Sequence, residues 1–422
     1  MVREEKISNR MDWITVLLYG IIVFWGWLNI FSVTYEENQF ILDPSINSGR
    51  QLIFIASSIA IIMFILIMDM RFYETFAWVI YGVILFLCLI VVFTGHEVGG
   101  NQAWLRIGSF GFQPSEFAKF ATALAVAKFI GTVGFRMDHM RNQVKLFAII
   151  GLPMAIILLQ KDTGTALVFT AFVLVFYREG MSPFLILVGI GVAIIFILTL
   201  LVENEYILFA IIGCVWLTLI LLGKKKRKRI MVLTATALML IGTIKSVDFI
   251  FNNVLKEHQQ KRIRVLLNPD LDQLGAGYHV YQSKVAIGSG GPYGKGFLKG
   301  TQTKLKFVPE QSTDFIFCTI GEEHGWIGSL MVILLFMALL FRVVYLAERQ
   351  KSRFARVYGY CVACILFFHF TINIGMTIGL FPVIGIPLPF FSYGGSSLWG
   401  FTILLFILLK LDAHRLQVMN RG

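Results

Sequence analysis

The run WIGSLMVILLFMALLFRVVYL, Trp326–Leu346, decides the fold class. About 20 predominantly apolar residues are needed to cross roughly 30 Å of hydrocarbon as one helix, and this run supplies them. Its edges are charged, with Glu322, Glu323 and His324 before it and Arg349, Lys351 and Arg353 after it. Similar runs recur outward at about 13–33, 51–68, 75–94, 115–131, 145–159, 164–178, 183–202, 206–222, 230–250, 356–378 and 393–411, which makes about twelve crossings. Composition agrees. Of 422 residues 57% are hydrophobic and 15% charged, with 39 Phe and a mean hydropathy of +0.75, more apolar surface than a water-soluble fold of this size could cover. The first run begins at Trp13 without a small-residue cleavage site, so it reads as a retained helix and not as a signal peptide. The expectation is an all-α polytopic membrane protein, residues 1–422 forming one integral membrane domain.

Lys and Arg concentrate in short cytoplasmic loops. With an even number of crossings and the N-terminus inside, Arg3, Lys6, Arg10, Arg136, Arg141, Lys145, the run Lys224 to Arg229, and Arg349, Lys351, Arg353 and Arg356 all fall in the cytoplasm. The short outer loops keep Arg50, Arg106 and Lys161. Residues 252–313 form one long extracytoplasmic loop whose cations include Lys256, Lys261, Arg262, Arg264 and Lys284, and loops of that length are exempt from the bias. Its positive potential favours an anionic ligand over a merely solvated loop. Gly288, Gly290, Gly291, Gly294, Gly296 and Gly300 permit unusual torsions or a close approach of backbone to a ligand.

Glu116 and Lys119 stand three apart at the start of the fourth run, on one helix face. Ionisable groups at that depth are either paired structurally or functional. Glu322 and Glu323 would be costly deep in lipid, so 313–325 reads as a short helix dipping into the outer interface. The five cysteines lie in or beside apolar runs. Cys361 and Cys364 have no second Cys or His pair to complete a metal site.

These residues resemble the RodA, FtsW and SpoVE family of cell-wall polymerases, the SEDS family. Trp104 and Arg106 precede Gln113, Pro114, Ser115, Glu116 and Lys119, similar to the family's first outer motif. Residues 160–165 read QKDTGT, close to the family's QPDLGT, with Lys161 and Thr163 as departures that put the role of Asp162 in doubt. The long loop carries GYHVYQSKVAIGSGGPYGKGFLKGTQTKLKFVPEQSTDFIF from Gly277 to Phe317, whose IGSGG, GKG and GTQ pieces look more like the RodA branch than the FtsW branch. Asn373, Gly375, Met376, Gly379, Pro382, Gly385, Pro387 and Pro389 lead into Ser392–Ser396, similar to the terminal signature.

The resemblance implies a SEDS-type helical bundle with a family core of ten spans, so about two helices are inserted, within 182–250. The basic run there can bind anionic inner-leaflet lipid or simply set orientation. Nucleic acid is a poor reading, since six residues pinned between spans offer no element for a groove.

The implied activity is that of an inverting peptidoglycan glycosyltransferase of the bacterial inner membrane. It would polymerise lipid II for cell elongation and rod shape, with undecaprenyl pyrophosphate as leaving group. The implied partners are a class B penicillin-binding transpeptidase and other elongation-complex membrane proteins. No cofactor is certain, a divalent cation such as magnesium or manganese being the candidate. A lipid II flippase or a non-catalytic scaffold is the alternative, but a flippase needs polar groups near mid-membrane in several helices and a scaffold needs no cluster of motifs at the outer face. Asp314 is the expected general base. It ends the polar stretch Pro309–Thr313, it matches the family's essential acidic position, and an acceptor hydroxyl needs a carboxylate to take its proton. The alternative is a helix cap. Arg106, Glu116, Lys119, Arg262, Arg264 and Lys284 are the expected substrate-binding residues.

Overall fold

The computed structural model describes residues 10–35, 43–98, 101–107, 110–183, 205–222, 227–249, 276–305 and 307–415, with isolated positions between 186 and 202 and between 251 and 260. Two compact units result, one made of Met1–Met181 with Gln282–Gly422 and the other of Ser182–Tyr281.

In the first unit the elements are α1 (Trp13–Thr34), α2 (Asn47–Ile67), the short α3 (Met70–Thr75) and α4 (Ala77–Thr94). A three-stranded antiparallel sheet follows, β1 (His96–Val98), β2 (Asn101–Ile107) and β3 (Phe110–Phe112). Then come α5 (Pro114–Ile130), α6 (Met140–Leu159), and α7 (Thr163–Val168) joined through a 3-10 turn to α8 (Phe172–Arg178). In the second unit α9 (Glu205–Leu221) packs along α10 (Arg227–Phe249), and Trp216 Nε1 donates to Thr234 Oγ1 at 3.2 Å. The chain continues with α11 (Ala276–Ser289), α12 (Thr301–Lys304), α13 (Ile316–Glu323), α14 (Gly325–Glu348), α15 (Arg353–Thr377) and α16 (Gly395–Ala413).

Among the described residues, α1, α2, α4, α6, α14, α15 and α16 are long and apolar enough to cross a membrane, and Thr163–Arg178, Glu205–Leu221 and Leu233–Val247 are shorter apolar helices. The protein is a multi-pass helical membrane protein, and each apolar run expected outside 182–250 is occupied by a helix. Of the three runs in the region expected to hold the insertion, 206–222 and 230–250 correspond to α9 and α10, while 183–202 holds isolated described positions.

The core is built around α5. Its sequence PSEFAKFATALAVAKFI is not strongly apolar, yet nearly every side chain is buried, because Ala118, Ala121, Ala123, Ala125 and Ala127 let α4, α6, α15 and α16 approach closely. Small residues are how helices associate where lipid is as apolar as a leucine. Pro114 starts the helix, where its missing N–H costs no hydrogen bond. On α2, by contrast, Ile53, Ile59, Met63, Phe64 and Ile67 face outward, as lipid-facing side chains do.

Between α15 and α16 the chain leaves regular structure. Pro382, Pro387 and Pro389 cannot supply the N–H groups of a helix or a ladder, so Ile384–Pro387 forms an irregular strut that is buried at Ile386 and exposed at Gly385. Such backbone is tolerated away from water only when its polar groups find partners.

Candidate active site

Asp314 sits in a turn anchored at Glu310, whose carbonyl accepts from the N–H groups of Thr313 and Phe315, both at 3.1 Å. Glu310 has φ 52°, a sparsely populated conformation held by those bonds. The helix after the turn is capped at Phe315 with no side-chain cap bond, so Asp314 lies one residue outside the capping position. The carbonyl of Asp314 accepts from Asn373 Nδ2 at 2.8 Å. Its carboxylate lies against Gly385, where an added Cβ would come 3.3 Å from Oδ2. Ser312 and Thr313 are tied to the far end of the strut, Tyr393 N donating to the Ser312 carbonyl at 2.9 Å and Ser392 Oγ to the Thr313 carbonyl at 2.6 Å.

The strut carries the contacts inward. Asn373 Nδ2 also donates to the Ile386 carbonyl at 2.7 Å, and one helical turn earlier His369 Nδ1 lies 3.1 Å from the Pro387 carbonyl. A carbonyl can only accept, so that nitrogen carries the hydrogen. Nε2 is then the acceptor for Lys119 Nζ, 3.1 Å away. Lys119 also pairs with Glu116 Oε2 at 2.8 Å and stands 4.2 Å from the centre of the Phe401 ring. Lys119 is 1% exposed and Glu116 3%. The pair is therefore enclosed by α15 and α16 and does not present its ammonium to a ligand.

Asp162 caps α7 through Thr165 N at 3.0 Å and accepts from Gln113 Nε2 at 3.0 Å, which fixes α7 beside the start of α5. Burial pushes its carboxyl above the usual range, opposed by the Thr165 N–H. Gly164 lets α7 approach the strut, since a Cβ there would meet the Ile384 carbonyl at 2.3 Å. At the preceding Lys161 the backbone has φ 63°, which a proline could not adopt.

The other expected site residues divide. Arg106 is exposed on β2, opposite Gly111, and is not joined to Glu116 or Lys119. Lys284 is exposed on α11, two residues before Ala286, which packs in a small cluster with Phe315 beside Asp314. Arg262 and Arg264 lie outside the described residues. His369, on no expected list, is the residue the sequence reading missed. Its signal was the four-residue spacing to Asn373 in an otherwise apolar run.

The glycine-rich segment differs from expectation in what it approaches. Added Cβ atoms at Gly290 and Gly294 would meet the carbonyls of Gly321 and Glu323 at 2.0 and 2.1 Å, so this loop packs on the protein's own α13. Glu322, fully buried, accepts from Lys295 Nζ at 2.7 Å, from the N–H groups of Thr301 and Gln302 at 2.8 Å, and from Thr303 N at 2.9 Å. Burial alone would raise its carboxyl, but Lys295 and the backbone donors overcome that and bring it down to about 2. Among the described residues, no three His, Cys, Asp or Glu side chains come together as a metal site.

Comparison with known proteins gives the family. The family model FtsW/RodA/SpoVE, described as cell cycle protein, matches residues 10–208 and 178–417. The peptidoglycan glycosyltransferase MrdB of Escherichia coli K12 is 35% identical over 346 residues, covering 82% of this chain and 80% of that protein. The peptidoglycan glycosyltransferase RodA of Treponema pallidum is 32% identical over 377 residues, covering 82% and 84%. Among solved structures, a chain of one described as structural coordination of polymerization and crosslinking by a peptidoglycan synthase complex superposes with a TM-score of 0.71 at 25% identity, covering 96% of this chain and 99% of that one. Rod shape determining protein RodA of Thermus thermophilus superposes with a TM-score of 0.63 at 23% identity, covering 96% and 97%. With the family model matching residues 10–208 and 178–417 and relatives at 32–35% identity matched over 80–84% of their length, this chain belongs to the FtsW/RodA/SpoVE family.

Proposed function

We propose that this protein is a peptidoglycan glycosyltransferase that polymerises lipid II at the outer face of the bacterial inner membrane, with both termini in the cytoplasm. The curated relatives are named for the glycosyltransferase activity. The observation that carries the mechanism is the position of Asp314, whose carbonyl is held by Asn373 while its carboxylate faces the bare Cα of Gly385.

In the reaction a sugar hydroxyl of the acceptor attacks the anomeric carbon of the donor. The new C–O bond forms as the bond to the pyrophosphate oxygen breaks, Asp314 takes the hydroxyl proton, and the anomeric centre inverts. Pyrophosphate leaves without protonation by a second acid, unlike the departing oxygen in glycoside hydrolysis. The exposed cations Arg106 and Lys284 are available to its charge, whereas Lys119 supports the site from beneath. A divalent cation such as magnesium or manganese would arrive with the pyrophosphate and take few protein ligands, as magnesium commonly does. A class B transpeptidase is the proposed partner, supported by the likeness to a synthase complex of polymerisation and crosslinking.

The test is incubation of purified protein with lipid II, alone and with a candidate transpeptidase, and separation of products on a gel. Glycan strands are expected. Lipid II that stays unpolymerised under both conditions while crossing vesicle bilayers would instead indicate a transporter.

A further inference from the structure

We propose that His369 and Asn373 are positioning residues that lock the Ile384–Pro387 strut, and through it Asp314, onto the buried Glu116–Lys119 pair. The inference rests on the polymerase reading above. Both side chains lie on one face of α15, four residues apart, at 1% and 0% exposure. They bond consecutive carbonyls of the strut, Asn373 that of Ile386 at 2.7 Å and His369 that of Pro387 at 3.1 Å.

Each then reaches a different part of the site with its remaining capacity. Asn373 spends its second N–H on the Asp314 carbonyl at 2.8 Å, while His369 accepts from Lys119 at 3.1 Å. The order is Glu116, Lys119, His369, strut, Asn373, Asp314, with the Gly385 Cα facing the Asp314 carboxylate. The four side chains Glu116, Lys119, His369 and Asn373 are buried, so the bonds they make to one another and to the strut are strengthened by their low-dielectric surroundings, while Asp314 and Gly385 stay partly open. An irregular strut has no ladder of its own to fix its register. With these two side chains removed, it keeps its covalent length but loses the bonds that hold Gly385 opposite the carboxylate. The base would then spend less time in reach of an acceptor hydroxyl, and a small misplacement is enough to slow a reaction severely.

The pair of residues therefore acts on turnover and not on substrate affinity. Neither is a catalytic residue, because neither touches a reacting atom in this account.

The test uses the full chain in polymerisation assays at varied lipid II, with rates normalised to folded protein. His369→Ala and Asn373→Ser are expected to lower kcat about tenfold or more, the effect of losing a buried hydrogen bond to a charged or positioned group, with KM within about twofold. His369→Gln, which can donate and accept at once, is expected to recover most of the loss. In a Glu116→Gln/Lys119→Met background His369→Ala should add little, because the chain is already broken at its start. Wild-type kcat in folded His369→Ala and Asn373→Ser proteins overturns the inference, as does multiplicative loss in the combined variant or a rise in KM without a fall in kcat. If His369→Ala does not fold, a His369→Gln protein with kcat as low as that of Asn373→Ser overturns it equally. A wild-type protein that makes no glycan overturns the polymerase reading instead, and this one with it.

Discussion

Asn373 donates from Nδ2 to the backbone carbonyl of Asp314 at 2.8 Å, reaching across from a helix 59 residues further along the chain. The bond goes to the main chain and leaves the acidic group to face Gly385. A glycine is needed there for two reasons, φ 67° and the 3.3 Å approach of a Cβ to Oδ2. Gly385→Ala is expected to fold with a loss of about 1–2 kcal/mol from the left-handed backbone, and to lose more activity than that loss explains. Initial rates and thermal midpoints on the same preparations check it, and a proportional decline of both would remove the special role of Gly385.

The Glu116–Lys119 pair should behave as a buried pair does. Removing one partner alone leaves an uncompensated charge and costs about 3–5 kcal/mol, whereas replacing both by neutral groups of similar volume is far less damaging. Heat-challenge size-exclusion profiles of Glu116→Gln, Lys119→Met and the double variant should rank the double variant above both singles. Single variants as stable as wild type would mean that the pair is solvated, contrary to its enclosure by Phe401 and His369.

Acid should release the glycine-rich loop through Glu322. Its folded carboxyl titrates at about 2 against an ordinary 4.5. A depressed value means that the contribution is complete above the ordinary value and is lost as pH falls through the folded one. Protease cleavage within 290–303 should therefore be pH-independent above about 5 and increase progressively as pH falls below it. Glu322→Gln should show faster cleavage at neutral pH and a weaker acid response. Equal protection of the variant and wild type at pH 7 would contradict the cradle.

How much of this was legible beforehand follows from the physics of each part. Apolar runs could be read because bilayer thickness imposes a length, and the four motifs could be read through their resemblance to a known family. Partner choice was not legible. Lys119 is expected among the substrate-binding residues, yet its ammonium meets His369, 250 residues away, and no local spacing encodes such a contact. The glycines of 288–300 gave a true signal of close approach and positive φ, but a glycine does not say whether a ligand or the chain's own α13 comes close. The sheet at 96–112 went unread because β1 and β3 hold three residues each, too few to show an alternating pattern.

Arg106 on β2 and Lys284 on α11 are exposed, and they are the cations assigned to the pyrophosphate. Arg106→Ala and Lys284→Ala should raise KM for lipid II several-fold with kcat nearly unchanged, the pattern of lost binding common to ground and transition states. Added salt should diminish the difference between variant and wild type. Steady-state polymerisation at two ionic strengths measures this, and unchanged KM in both variants would place the pyrophosphate elsewhere.

Asp314 stands as the group that accepts the proton of the acceptor hydroxyl. Asp314→Asn preserves size and keeps the backbone carbonyl that Asn373 holds, while the side chain loses its basicity. The decisive measurement is the initial rate of glycan formation from lipid II by purified Asp314→Asn protein, with its thermal midpoint recorded alongside. The expected result is a folded protein of wild-type stability whose rate is lower by about 100-fold or more, the range of general base catalysis. Polymerisation by Asp314→Asn at near the wild-type rate would contradict it.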